Sequence, residues 1–374
     1  MSVPSPTSKG RLAWLDLARG LVVLAVVLMH VGIYQYLPLT EGLESRAPLF
    51  WTNVSLVLEA VRMPALLVIS GWLASSAISK GLFSHKVRHR LLANSYLYVV
   101  WLAIYAAITV LLDARDVAQA VAPEQFLGQL LVPYSTLWFL AGLVWYTAFF
   151  AATRKLDWRI VLAVSFAISA TASLTLSTSL GLWVKIPQLL FFFGLGLYGR
   201  SLWKSVASTP WRSLLIGGAV TGVGVAVHDL SGEAAWGYPF SVMASIGGVV
   251  TVFSLAALLA ASGALWTRPL VWVGRHTVSI YVLHYPALMA LTVIPEGPLY
   301  EWPRVLLETR AGLWLYPLIF TALIVAASLL VEGLARALRF TWLFELPKPR
   351  FVPQLMASWR ERKSTRRARK VLSV

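Results

Sequence analysis

The chain has no cysteine, and only 13% of its 374 residues are charged. The first absence excludes disulfides, thiolate metal sites and a thioester carried on the protein itself. The second excludes an ordinary soluble domain, which carries roughly 25% charged residues. Acidic residues are scarce in particular: 16 Asp and Glu stand against 32 Lys and Arg, giving a formal charge of +16. Such an excess can signal nucleic acid, but here the bases cluster in connections between apolar runs and follow no groove-like surface, so no nucleic-acid partner is expected. No internal repeat stands out and no soluble domain is appended.

What the chain has is hydrocarbon. It is 58% hydrophobic with a mean hydropathy of +0.71, and apolar runs recur from end to end. The expected fold class is all-α, a polytopic membrane bundle of about ten helices. The spans fall near 12–34, 51–78, 92–112, 135–153, 159–178, 184–200, 213–228, 238–262, 274–294 and 312–335. The first is no cleaved signal peptide, because it carries internal charges and lacks a clear small-x-small site. One set of connections is basic (Lys9/Arg11, Lys80 to Arg90, Arg154 to Arg159, Arg200 to Arg212, Arg268/Arg275). The alternate set is acidic (Glu41/Glu44, Asp113/Asp116/Glu124, Asp229/Glu233, Glu296/Glu301/Glu308). Cytoplasmic connections are the basic ones, which places both termini inside. Residues 1–345 form the bundle, and 346–374 form a basic cytoplasmic tail suited to anionic lipid headgroups. Trp14, Trp51, Trp101, Trp158, Trp211, Trp266 and Trp302 lie near span ends, as interfacial anchors do.

Ionisable residues inside these spans point to function, since each costs several kcal/mol at membrane depth unless it meets a partner or a cavity. The first span holds Asp16, Arg19 and His30. Arg19 and His30 are about 16 Å apart along a helix axis, which sets a cation toward the inner leaflet and an imidazole past the midplane. In one reading Arg19 engages an anionic group arriving from the cytoplasm and His30 is a general base or acyl acceptor. In the other, Arg19 pairs with Asp16 one turn away and His30 is a bonded core residue. On the second span Glu59 and Arg62 fall near the depth of His30. Glu59 either orients the imidazole or pairs with Arg62 at i,i+3. Pro64 and Ser70-Gly71 suggest a bend and a close backbone approach. Lys86, Arg88 and Arg90 form a cluster at the inner mouth, suited to donor phosphates or to lipid headgroups. Trp138 opens the fourth span within Ser135-Thr136-Leu137-Trp138-Phe139. His284, on the ninth, is more readily a hydrogen-bonding partner than a second catalyst; His85, His89, His228 and His276 read as interfacial. No metal-ligand spacing occurs.

In order along the chain, these segments resemble the integral-membrane acyltransferase-3 family. The likeness rests on Leu15-Asp16-Leu17-Ala18-Arg19-Gly20 with the Arg-x10-His spacing to His30, and on Met63-Pro64 with Ser70-Gly71-Trp72. Arg88-His89-Arg90-Leu91-Leu92, Leu137-Trp138-Phe139-Leu140, Phe191-Phe192-Phe193-Gly194 and Ser279 to His284 complete it. The resemblance implies a multi-pass protein of the bacterial cell membrane that takes an acyl group from cytoplasmic acyl-CoA, acetyl-CoA being the simplest donor, without a metal. The group passes to a hydroxyl of an extracytoplasmic glycan, glycolipid or secondary metabolite. It also implies that His30 is catalytic and Arg19 a donor-side or positioning residue, beside which the residue reading sets Glu59 as an assisting carboxylate. Asp16, Arg62, Ser70, Lys86, Arg88, Arg90, Trp138 and His284 are then expected around substrate and donor. The family's inner-loop Arg-x-x-Arg is here Lys86-x-Arg88-x-Arg90, and the hydrolase-like domain of some members is missing. The related heparan-glucosaminide acetyltransferase-like proteins share Asp-x-x-Arg-Gly and acylate an amine, so N-acylation stays open. A transporter or flippase for an envelope lipid or polysaccharide is the main alternative, using the same ionisable residues as a pathway.

Overall fold

The structure is a computed structural model that describes residues 13–232, 234–293 and 304–347. The expectations attached to Lys9, Arg11, Glu233, Glu296, Glu301, Trp302 and the basic tail from Lys348 onward lie outside the described residues.

Among the described residues the regular structure is entirely helical. The principal helices are α1 (Ala13–Val31), α2 (Arg46–Ile78), α3 (His85–Leu111), α4 (Trp138–Ala152), α5 (Trp158–Thr175), α6 (Leu190–Tyr198), α7 (Pro210–Ser231), α8 (Tyr238–Ser262), α9 (Thr277–Val293) and α10 (Arg310–Ala337). Local chemistry sets several of their starts. Ser45, Ser84, Asp157 and Thr309 each accept a backbone N–H of the first turn, satisfying donors that the helix itself leaves unpaired. Seven segments are long and apolar enough to cross a membrane: Ala13–Leu39, Arg46–Ile78, His85–Leu111, Trp158–Thr175, Pro210–Ser231, Ala235–Ser262 and Arg310–Ala337.

The expected fourth, sixth and ninth spans are shorter helices. The backbone before α4 and before α6 is irregular or broken into short turns over 132–137 and 176–189. Thr136, Leu182, Lys185 and Gln188, from those stretches, line an internal cavity. Non-helical backbone is tolerated at membrane depth where it borders such a space instead of lipid. A hydropathy run does not register that interruption.

Two close approaches hold the bundle's centre. Gly71 of α2 lies against the backbone of Phe193 and Leu197 in α6, so a side chain there would displace a helix. Gly20 of α1 meets the backbone of Leu270 and Gly274 in the short helix Thr267–Arg275 in the same way. The expected close approach at Ser70-Gly71 is thus realised, and small residues at such crossings let helices pack by dispersion where no hydrophobic drive exists. Several expected interfacial tryptophans turn inward. Trp14 packs edge-on against Trp72 and Phe253, Trp51 is buried, and Trp101 is buried with its Nε1 donating to the Leu343 carbonyl at 2.7 Å. Trp158, Trp211 and Trp266 are exposed, as anchors should be.

Candidate active site

Helix α1 carries His30 one residue before its last, and there the hydrogen-bonding pattern widens into a π-helix over Gly32–Tyr36. Such insertions are frequent at functional sites because they turn side chains that a regular helix would place elsewhere. Tyr34, within the insertion, joins His30 on the wall of a cavity of about 590 Å³. That cavity is also lined by Met29, Glu59, Arg62, Met63, Thr136, Trp138, Lys185, Gln188 and Tyr281. It extends to His228, Asp229 and Gly232 at the C-terminal end of α7 and to Tyr238 at the start of α8.

His30 and His284 form a hydrogen-bonded pair, Nδ1 to Nε2 at 2.8 Å, with their rings 10° from parallel. The proton positions follow from the partners. The Nδ1 of His284 faces the Tyr281 carbonyl at 2.6 Å and the Ile280 carbonyl at 3.2 Å. Carbonyl oxygens only accept, so in the neutral ring that nitrogen carries the proton. The Nε2 of His284 is therefore an acceptor, and His30 donates to it through Nδ1–H. His30 is left with an unprotonated Nε2, the tautomer a general base requires. His284 is fully buried, whereas His30 is partly exposed to the cavity.

The pair corrects the place expected for Glu59. That carboxylate is not bonded to His30, and it acts on Arg62 only through space, without an ion-pair contact. It is an exposed residue paired with Lys185 at 3.4 Å. Arg62 instead keeps its Nε sealed from solvent without a hydrogen-bond partner, and its charge acts on both His30 and Tyr34. Trp138 lines the cavity. Thr136 adds a buried hydroxyl with no partner, while its carbonyl accepts from the Tyr281 hydroxyl.

The remaining candidates gather at the other end of α1. The guanidinium of Arg19 donates to the Thr277 hydroxyl at 2.7 Å and lies 3.9 Å from Asp16. Asp16 is buried and also meets Arg275 at 3.3 Å. It belongs to an ion-pair bridge between α1 and the short helix Thr267–Arg275, and it does not line the cavity. The Arg90 guanidinium is within electrostatic range of Arg19, reaches the Ser70 carbonyl at 3.5 Å, and leaves its Nε buried and unpartnered. Ser70 itself directs its hydroxyl to the Leu66 carbonyl at 2.8 Å, so the expected binding hydroxyl is engaged within the helix. Lys86 and Arg88 are exposed, and only Arg90 of that cluster turns inward. Tyr34, Thr136, Lys185 and His228 are cavity residues that sequence reasoning missed. His284, by contrast, was already visible in the sequence as an ionisable residue within an apolar run. Among the described residues no group of acids and histidines is arranged to hold a metal ion.

A helical membrane bundle with a histidine pair at a cavity deep in the protein is suited to moving a proton during group transfer. The acyltransferase-3 family model, described as an acyltransferase domain, matches residues 12–333. The chain therefore belongs to that family and is a multi-pass membrane protein with O-acyltransferase activity. No curated protein and no solved structure matches it.

Proposed function

We propose that the protein transfers an acyl group, acetyl in the simplest case, from acyl-CoA on the cytoplasmic side to a hydroxyl of an envelope saccharide, glycolipid or secondary metabolite. The observation that carries the reading is the 2.8 Å His30–His284 bond, with its fixed tautomer, beside a cavity large enough for part of a sugar. The acceptor hydroxyl enters by the end of the cavity near Asp229 and Gly232. His30 Nε2 removes its proton as the oxygen attacks the thioester carbon, and His284 holds the ring in position through Nδ1–H. Collapse of the intermediate expels the CoA thiolate, which takes the proton back from His30. Thioesters are activated already, so a positioned base contributing about 10²–10⁴-fold suffices.

The donor approaches from the opposite end, where Arg19 and Arg90 offer two neighbouring cations for an anionic group. Lys86 and Arg88, exposed on α3, extend that charge toward solvent. Ten crossings with both termini inside fit this arrangement, counting the seven long segments, α4, α9, and α6 with the preceding Lys185–Gln188 turn. Arg19 bonds Thr277 and His30 bonds His284, so α1 and α9 run in the same direction. Parallel first and ninth spans are what an unbroken alternation of crossings requires. The bacterial cell membrane is the expected location, with its lipids as surroundings. A flippase would use the same charges but needs no fixed histidine tautomer.

The test is mass spectrometry of envelope glycans and lipids from cells with the protein, without it, and with His30→Ala. Loss of one acyl increment both on deletion and with His30→Ala, at normal amounts of folded protein, is expected. Near-wild-type modification by His30→Ala removes His30 as the base.

A further inference from the structure

Arg62 is the residue for which neither the fold nor the histidine pair accounts. It lies in the middle of α2, inside the protein, with Nε shielded from solvent and bonded to nothing. Among the described residues no carboxylate is in ion-pair contact with it: Glu59, one turn earlier, contacts Lys185 and reaches Arg62 only through space. A guanidinium at membrane depth with no carboxylate in contact is costly even though Glu59 acts on it through space, and a structural cation would be expected to hold a contacting counter-charge. Arg62 has instead an open side, the cavity that it lines with His30, Tyr34 and Thr136. Its charge reaches His30 itself.

Building on the transfer reading above, we infer that Arg62 is a catalytic electrophile whose guanidinium binds the oxyanion formed at the acyl carbonyl. When the acceptor oxygen bonds to the thioester carbon, the carbonyl π pair moves onto oxygen, and the proton goes to His30 Nε2. The new negative charge then faces Arg62. As the C–S bond breaks, the oxygen pair re-forms the carbonyl and the charge leaves with the thiolate, which His30 protonates. A contacting anion beside Arg62 is thus supplied transiently, in the transition state. A donor that stands preorganised in a water-poor site needs no rearrangement as the charge appears. The counter-charge belongs to the same step whether the acyl group goes directly to the acceptor or first to His30, because both routes pass through a tetrahedral oxyanion. The planar fork also presents two N–H groups to one oxygen, which a lysine does not.

The experiment compares Arg62→Gln, Arg62→Lys and Arg62→Ala with the native protein and His30→Ala. Membranes from deletion cells supply the native acceptor, [14C]acetyl-CoA is the donor, and envelope acyl increments in cells provide a second readout that assumes no donor. Arg62→Gln is expected to lower kcat about 10²–10³-fold, the loss typical of removing one oxyanion donor, with the KM for acetyl-CoA within about twofold. Arg62→Lys retains more activity than Arg62→Gln, and added guanidinium ion restores part of the Arg62→Ala activity. Detergent size-exclusion profiles of all variants remain native. A rate for Arg62→Gln within threefold of native, a defect confined to KM, or a loss matched by loss of folded protein would overturn the assignment. Full activity of His30→Ala would instead strike the transfer reading, and the two failures are separately visible.

Discussion

Replacing His284 tests the tautomer logic without touching the base. In His284→Leu the Nδ1–H of His30 has no acceptor. The neutral pair contributes about 0.5–1.5 kcal/mol as an ordinary hydrogen bond, and more once His30 is an imidazolium, because a bond to a charged group contributes about 1.5–3 kcal/mol. The difference that acts on the rate is the transition-state part together with the population of the correct tautomer. About 2–3 kcal/mol in all corresponds to a fall in kcat of about 30- to 150-fold. His284→Gln separates positioning from packing, since its amide oxygen can accept from His30 while its N–H₂ donates to the Ile280 or Tyr281 carbonyl. It should recover to within about tenfold of native, in line with losses at residues that orient a functional side chain. The assay is initial-rate acyl transfer in membranes at saturating donor, with the amount of folded protein read by size exclusion. Equal loss by the Leu and Gln variants would mean that His284 only fills space. Near-native activity of His284→Leu beside an inactive His30→Ala would refute the dyad.

Two further substitutions follow from the corrected positions. Glu59→Gln removes an exposed ion pair with Lys185, worth about 0–1 kcal/mol, and a through-space charge on Arg62 but no contact with it, so transfer should stay within threefold of native; a hundredfold loss would return Glu59 to the catalytic group. Asp16→Ala strands Arg19 beside Arg275 across a helix contact. The side chain of Arg275 is half exposed, so the destabilisation is about 1–3 kcal/mol rather than the full cost of breaking a buried pair. It should show as a thermal midpoint several degrees lower in detergent, and an unchanged midpoint would contradict the bridging role.

The membrane class, the order of the apolar segments and His30 as a candidate were legible because each leaves a local mark: a run of hydrocarbon, or a titratable group where none belongs. Partnership was not. Glu59 and Arg62 at i,i+3 make a natural helical pair, yet Lys185, 126 positions away, takes the carboxylate. Ser70 looked available, but a serine inside a helix can bond the carbonyl four residues back, and this one does. Tyr34 carried no signal, since its direction depends on a π-helical insertion that no periodicity announces. The shortened α4 and α6 were hidden for a related reason, because cavity-lining backbone in a membrane is as apolar in composition as the helices it interrupts.

The contacts between α1 and α9 unite these strands. Arg19 with Thr277 and His30 with His284 join the same two helices at two depths, and the Asp16–Arg275 pair closes the inner end just before α9 begins. Residues more than 250 positions apart in sequence thereby fix one relative rotation and height of the two helices. A slide of one helical turn, about 5.4 Å, would break the histidine bond and the Arg19 bond together. Arg19 and His30 are therefore not independent features of a shared helix. The packing that fixes Arg19 at the N-terminal end of α1 also holds the His30 tautomer, so a change at either end reaches the other through rigid-body position instead of through the cavity.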